Sequence, residues 1–290
     1  FGSENGNFSG PWYLYADPDG LLYISDNGND RIQILNYTDG SFVDTFGGTG
    51  SASGQFIDPA GIAVGPDDNL YIADQDNDRI QKIAKNWTYL DEFPASSGMY
   101  GLDVDSDGLI YTVDYGTNRL YKYTQDGTLV FQVGGSGSTP GKLYYPTGVT
   151  VYPDGGVLVV SYHTGIIQHL AVPEYELLSV IDEVPYSGGL WFPFDIAIAP
   201  DGSRYVTEIG NSEIYKFDSE GLYIMNWSLP TNTWPMGIDV DPAGNVYVTG
   251  GLDDKIYKYN SNGNLTFTTG ETGTGPGQLD SPIDVVYHNG

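Results

Sequence analysis

Short apolar runs of five or six residues alternate with polar turns along the whole chain, and none approaches the roughly 18 apolar residues of a membrane-crossing helix. The runs come in a fixed order. Each unit opens on a shared proline at Pro11, Pro59, Pro146, Pro193, Pro235 and Pro282, with Met99 where that proline is missing, at intervals of 48, 40, 47, 47, 42 and 47 residues. A short first strand follows and ends in a turn: GIAVGPDD from Gly61, GLDVDSDG from Gly101, GVTVYPDGG from Gly148, DIAIAPDGS from Asp195 and GIDVDPAGN from Gly237. In PDG-type turns proline presets φ, aspartate bonds the backbone ahead of it and glycine takes the positive-φ position, so a tight reversal is encoded. A second strand rich in Tyr and β-branched residues comes next: LYISD from Leu22, LYIAD from Leu70, IYTVD from Ile110, VLVVS from Val157, RYVTE from Arg204 and VYVTG from Val246. The third strand reads RIQIL from Arg31, RIQKI from Arg79, RLYKY from Arg119, EIYKF from Glu213 and KIYKY from Lys255, and a fourth closes the unit, as in FVDTF ending at Phe46. Four antiparallel strands per unit, repeated six times without helices, predict an all-β, six-bladed β-propeller of four-stranded antiparallel blades. The expected organisation is a single domain over residues 1–290, with repeats starting near 11, 59, 99, 146, 193 and 235 and a partial seventh over 282–290.

The motifs carry a specific resemblance. P-x-G-I-A-V-x-x-D-G, then L-Y-I-A-D-x-x-N-x-R-I-Q, then G-x-F and a Gly-rich linker resemble the NHL repeat over essentially the whole chain, best over residues 59–83. The units opening at Pro146, Pro193 and Pro235 drift, with Ile166, Glu213 and Lys255 where the family has Arg. The WD dipeptide and the kelch glycine pairs are absent. The resemblance implies a six-bladed ring of the extracellular, prokaryote type, in a family used for protein binding, RNA binding, or lyase and hydrolase chemistry. Fold follows from this; function does not.

Strand types do not balance: six second, third and fourth strands accompany seven first strands, the extra one being Pro282, Ile283, Asp284, Val285, Val286 and Tyr287. The chain also starts at Phe1-Gly2, which resembles the close of a fourth strand, Phe46-Gly47, and reads as a processed or trimmed product. Either the surplus strand lies within its own ring, or a longer array has been trimmed, or this strand or the segment from Phe1 to Ala16 is donated to the next copy. An unpaired strand edge is a template for augmentation, and a head-to-tail contact that does not close makes a filament. The expected function on this reading is an extracellular structural or interaction propeller, self-assembling into a filament or surface array and not an enzyme, with itself as partner. The alternative is a monomeric propeller of the cell surface that binds a glycan or surface protein, and behind it stands a propeller lyase or lactonase.

Composition narrows the partners. With 38 Asp plus Glu against 11 Lys plus Arg the net charge is −27, which leaves no basic stripe for nucleic acid or anionic membrane, so neither nucleic acid nor membrane insertion is expected. No cysteine means no disulfide framework and no thiolate site. Five N-x-S/T sequons, at Asn7, Asn36, Asn86, Asn226 and Asn264, fall at the outermost strand, its turn or the linker, where a glycan fits. They point to an N-glycosylated chain located outside the cell or at its surface.

Candidate chemistry is sparse. Asp103 to Gly108 spells D-x-D-x-D-G, the opening of a calcium loop, but Asp114 in the twelfth position ends the next strand, beyond the reach of the same ion. A structural turn is the favoured reading, with weak calcium binding at Asp105 and Asp107 as the one cofactor candidate and no other metal site. Asp26, Asp74, Asp114 and Glu208 recur at the end of the second strand, with Arg31, Arg79 and Arg119 five residues after the first three, which predicts loop-fixing ion pairs. His163 and His169 mark the degenerate fourth unit, and a lyase of the type the resemblance implies needs several convergent histidines that this chain lacks; no catalytic residue is assigned. Trp12, Trp191 and Trp234 stand just before or after a unit's opening proline, with Tyr100, Tyr144 and Tyr145 similarly placed, which predicts an aromatic ring at the channel mouth that packs blade tops or binds a ligand.

Overall fold

In the computed structural model each of six units folds as a four-stranded antiparallel sheet with its strands in chain order. The structure describes residues 3–17, 20–36, 41–152, 155–170, 177–181, 189–230, 233–270, 272 and 281–285. The first strands are β1 (Pro11–Ala16), β5 (Pro59–Val64), β9 (Met99–Val104), β13 (Pro146–Val151), β17 (Pro193–Ile198) and β21 (Pro235–Val240). The second are β2 (Leu21–Asp26), β6 (Asn69–Asp74), β10 (Ile110–Asp114), β14 (Val157–Ser161), β18 (Arg204–Glu208) and β22 (Val246–Gly250). The third are β3 (Arg31–Asn36), β7 (Arg79–Ala84), β11 (Arg119–Tyr123), β15 (Ile166–Leu170), β19 (Glu213–Phe217) and β23 (Lys255–Tyr259). The fourth are β4 (Phe42–Gly47), β8 (Tyr89–Pro94), β12 (Leu129–Gly134), β16 (Leu177–Ile181), β20 (Tyr223–Ser228) and β24 (Leu265–Thr269). Among the described residues the helical content is two short 3₁₀ turns, Asn27–Asn29 and Gln75–Asn77.

Alternation along the strands makes the core. Successive side chains point to opposite faces of a sheet, so Tyr71 joins an apolar cluster shared with blade 3 while Leu70 and Ile72 join one shared with blade 1. Five such clusters fill the junctions between blades 1 and 2, 2 and 3, 3 and 4, 4 and 5, and 5 and 6. The first strands follow one another around the axis in the order β1, β5, β9, β13, β17, β21.

Every first strand bulges. Pro59 pairs with Asp74 and Ile62 with Ile72, so three steps on β5 oppose two on β6, and the other five blades carry the same one-residue excess. The third residue of the unit sits in the bulge, pressed against the neighbouring first strand. A Cβ on Gly61 would stand 2.7 Å from both Cβ and backbone N of Leu102. Glycine is therefore required by close approach, and Gly61→Ala is expected to cost about 1–3 kcal/mol, read as a lower urea midpoint at unchanged slope.

The surplus segment belongs to its own ring. The Ser281 N–H donates to Asp254 Oδ1 at 2.7 Å, as Asp58 does to Asp30 and Tyr145 to Asn118, and all three residues share a φ near +50° (49°, 51° and 52°). Asp284 accepts from the Val285 N–H and, at 3.1 Å, from the Leu14 N–H of β1. Asp195 bridges Ile196 and Ile238 in the same manner, and Asp103 bridges Val104 and Val151. Residues 281–285 thus lie between β21 and β1 as a seventh member of the inner ring. The expected donation of Pro282–Tyr287 to a neighbouring subunit is corrected on this ground: Pro282 is buried and Asp284 is engaged by the chain's own β1. Val286 and Tyr287 lie outside the described residues.

Candidate functional site

Because Pro11 pairs with Asp26, and every other unit pairs alike, the starts of the first strands and the ends of the second share one end of the ring. At this end blades 1 and 2 are locked by ion pairs. Arg79 Nε meets Asp74 at 2.6 Å, and the guanidinium also donates to the carbonyls of Ser51, Ala52 and Gln55 in the preceding linker. Arg31 does the same with Asp26 at 2.7 Å and with Ser3, Glu4 and Asn7. The pairing expected of Asp114 and Arg119 is corrected: Arg119 is exposed and donates to Gln132, while Asp114 accepts from the Thr117 N–H. The linker into blade 3, residues 95–98, is too short to offer the three carbonyls that hold the other two arginines.

Where the arginines end, aromatic rings begin. Trp12 packs on Tyr100 with centroids 5.0 Å apart, across the small Ala60 and Gly61 of blade 2; Tyr100 stacks on Tyr115 at 5.1 Å and Tyr115 meets Tyr145 at 4.3 Å. Tyr145 lies 4.9 Å from His163, which is 5.3 Å from Tyr162, and Tyr162 is 5.1 Å from Phe192. Tyr144 and Phe192 also flank the imidazole at 5.7 and 5.6 Å. The result is an unbroken file of rings from blade 1 to blade 5, with Tyr144, Phe192 and His163 exposed. Burial pushes the Tyr100 and Tyr115 hydroxyls up, and neighbouring phenols add to the effect, so both stay protonated hydrogen-bond donors.

The channel below is closed by polar contacts. The Tyr13 hydroxyl spans it from β1 to the Thr147 carbonyl of β13 at 3.0 Å. Its hydroxyl is pushed well up, first by burial and then by the charges of Asp195 and Asp284. Burial likewise raises both carboxyls, and the charge of Asp195 raises that of Asp284 further. Glu208, at the end of β18, is fully buried and accepts from the Asn211 N–H at 2.9 Å; burial, then Glu213 standing where blades 1 and 2 have arginine, pushes it to about 7.

Sequence reading placed Trp12, Trp191 and Trp234 together. The structure puts Trp12 in the file of rings, whereas Trp191 and Trp234 are exposed beside it. It missed Tyr115, Tyr162 and Phe192, whose signal was a ring immediately before the opening proline or after the second strand. It also missed Tyr13 and Asp195, legible as non-glycine residues at the third place of the unit, and named Asp284, which holds the same place, as part of the surplus strand alone. His169 packs on Tyr152 instead, and His288 is outside the described residues. Asp105 accepts from the Asp107 and Leu109 N–H groups and from the Tyr111 hydroxyl, the bonds of a tight turn. Among the described residues no three acidic or histidine side chains converge as metal ligands do. Asn86 and Asn264 are exposed in the turns into β8 and β24; Asn7, Asn36 and Asn226 are half-buried, and Asn226 accepts from the Tyr223 hydroxyl.

Comparison with known proteins bears on function. The model of the NHL repeat family matches residues 56–83. No curated protein matches the chain. Among solved structures, a catalytically inactive variant of virginiamycin B lyase from Staphylococcus aureus, crystallised with quinupristin, is 18% identical over 91% of this chain and 86% of its own, with a TM-score of 0.73. A streptogramin B lyase is 20% identical over 91% and 97%, with a TM-score of 0.64, and the hydrazine synthase of Kuenenia stuttgartiensis is 15% identical over 96% and 90%, with a TM-score of 0.73. These are likenesses of fold, and they overturn two expectations. The similar propellers are enzymes, which corrects both the reading of this chain as non-enzymatic and the reading of it as a structural, self-assembling module. Six four-stranded blades make the chain a β-propeller, and its second blade carries the NHL repeat that the family model matches.

Proposed function

We propose that this protein is an enzyme of lyase type that holds a ring-bearing organic substrate across the aromatic file and uses His163 as its acid–base group. One observation carries the reading: an exposed imidazole stands inside an unbroken file of rings, between Tyr145, Tyr162 and Phe192. Ring faces offer apolar contact and phenol hydroxyls offer hydrogen bonds at its edge, the composition of a small-molecule site. Imidazole is the side chain suited to take a proton near neutral pH. In an elimination it would remove a proton from carbon; the C–H electron pair becomes the new double bond as the neighbouring carbon–heteroatom bond breaks, and the leaving heteroatom receives a proton. The lyases of similar fold support this class of reaction, and quinupristin, present in one of them, is the first compound to offer.

Binding is expected to quench the aromatic fluorescence. Tyr145→Ala should weaken it about tenfold, while His163→Ala should bind normally and turn over about 100-fold more slowly or less. Full turnover by His163→Ala, or unchanged binding by Tyr145→Ala, would remove the basis of the reading.

A further inference from the structure

The carboxylate that ends the second strand has a counter-charge in blades 1 and 2 but none in blades 3 and 5. Asp26 and Asp74 hold Arg31 and Arg79. Asp114 is 0% exposed and its arginine has turned away: Arg119 donates to Gln132 on the outermost strand, and Asp114 Oδ2 is left without a partner. In blade 5 Glu208 is equally buried and lies opposite Glu213, which stands where the arginine would be. A buried carboxylate with no cation near it is costly to hold ionised. Both lie just under the aromatic file. Tyr115 follows Asp114 directly, and a Cβ on the exposed Gly116 would stand 3.4 Å from Asp114 Oδ1. A Cβ on Gly210 would stand 2.8 Å from Glu208 Oε1 and 2.7 Å from Trp191 Cβ, and the Ile209 N–H donates to the Phe192 carbonyl.

The rings above these carboxyls have no cation of their own. Lysine lies over tyrosine in four blades, Lys82 on Tyr71, Lys122 on Tyr111, Lys216 on Tyr205 and Lys258 on Tyr247, at 4.8 to 5.3 Å, and Arg204 lies over Tyr152. Among the described residues no lysine or arginine lies over a ring of the file. Lys142, two residues before Tyr144, turns to the Gly134 carbonyl, so it and Arg119 both point to β12. Ring faces attract cations, more strongly where water is excluded. The net charge of −27 draws cationic molecules toward the chain, and an anion would find no partner in the file.

We propose that the file is a cation site: the substrate it holds carries a positively charged nitrogen, an amine or quaternary ammonium group, seated against the rings of blades 3 to 5 with Asp114 and Glu208 as its counter-charges. On the reading of the file as the substrate site, from which this follows, the ammonium takes the role that the guanidinium plays in blades 1 and 2. It acts through the turns at Gly116 and Gly210, since both carboxyls are buried beneath them.

Three probes of one shape test this with the intact chain: phenethylamine, 2-phenylethanol and phenylacetate, a cation, a neutral molecule and an anion. Equilibrium dialysis at pH 8 measures their affinities, where Glu208, pushed to about 7 by burial, is ionised. Phenethylamine is expected to bind about tenfold tighter than 2-phenylethanol, phenylacetate more weakly than either, and Tyr145→Ala to weaken the amine. Most of the tenfold ratio should survive about 0.5 M salt, because contact with the rings is screened less than the diffuse field. Asp114→Asn and Glu208→Gln should each cut the ratio about threefold, whereas Asp126→Asn, in an exposed outer turn of blade 3, should leave it unchanged. A variant that only disturbs the rings shifts amine and alcohol together and leaves their ratio alone. Equal binding of amine and alcohol overturns the cation site, and so does a ratio that salt abolishes and that Asp126→Asn lowers as much as Asp114→Asn; the file then remains a site for a neutral molecule. Failure of all three probes overturns the cation site as well, and failure of quinupristin beside them removes the substrate-site reading too.

Discussion

Arg79→Ala is expected to destabilise the protein by about 3–5 kcal/mol, because it strands a carboxylate with no route to solvent. Asp74 is fully buried, and the Arg79 guanidinium supplies its counter-charge at 2.6 Å while ordering three carbonyls of the linker. Removing the arginine takes the counter-charge from Asp74, which keeps its bonds from the Ile57 N–H and the Asn77 and Gln81 amides, and takes the guanidinium from the Ser51 and Ala52 carbonyls, while Gln55 keeps the Gln81 amide. Lysine would restore the charge but not the fork of donors, so Arg79→Lys should recover only part of the loss. Arg119→Ala is the control: exposed and bonded to Gln132 alone, it should change stability by no more than about 0.5 kcal/mol. Urea unfolding followed by aromatic fluorescence measures all three. Equal losses at Arg79 and Arg119 would show that the burial of the first pair has no energetic consequence.

Acidification from pH 8 to pH 5 is expected to stabilise the fold by about 2–3 kcal/mol, the reverse of ordinary acid denaturation. Burial raises Asp103 to about 6 and Glu208 to about 7, and it raises Asp195 and Asp284 as well. Between the ordinary carboxylate range and these raised values the folded chain keeps protons that the unfolded chain has released. Stability therefore falls as pH rises from about 4 to 7 and levels off above that window. Asp201 acts in the opposite sense, since the Ser203 N–H favours its carboxylate, and its contribution disappears only as the pH drops through the ordinary carboxylate range. The −27 charge also favours lower pH, but salt screens that repulsion and leaves the buried carboxyls untouched. Thermal melts at two salt concentrations separate the effects. Asp284→Asn, which keeps an acceptor for the Leu14 N–H, should flatten the profile; a profile that high salt abolishes would assign it to surface charge instead.

The similar folds found among lyases and a hydrazine synthase show that this architecture accommodates chemistry of unrelated kinds, as expected when function resides in residues at one end of a ring. In this chain those residues are concentrated in blades 3 to 5. Blades 1 and 2 have their strand ends filled by the Asp–Arg lock, and blade 1 adds Trp12 to a file whose other rings come from blades 3 to 5, which lost it.

Much of the fold was legible in the sequence because it is local. A period-two alternation, a PDG turn and a shared proline specify each blade independently, and six recurrences specify the ring. The Asp74–Arg79 lock was readable from recurrence, but the failure of Asp114 and Arg119 to pair depends on carbonyls from a linker that lies beside them only in three dimensions. The aromatic file was legible in part, since Trp12, Tyr100, Tyr144 and Tyr145 stand at like places in their units, but its continuity through Tyr115, His163, Tyr162 and Phe192 depends on the fold. So does the channel closure by Tyr13, whose partner Thr147 stands 134 positions away. The surplus strand was countable in the sequence, yet whether it stays at home is decided by the competition between its own ring and an outside edge. Here the Leu14 N–H and the space beside Gly237 receive it. Repeating local chemistry determined the blades; which side chains meet at the mouth was decided by the curvature that brings distant units around one axis.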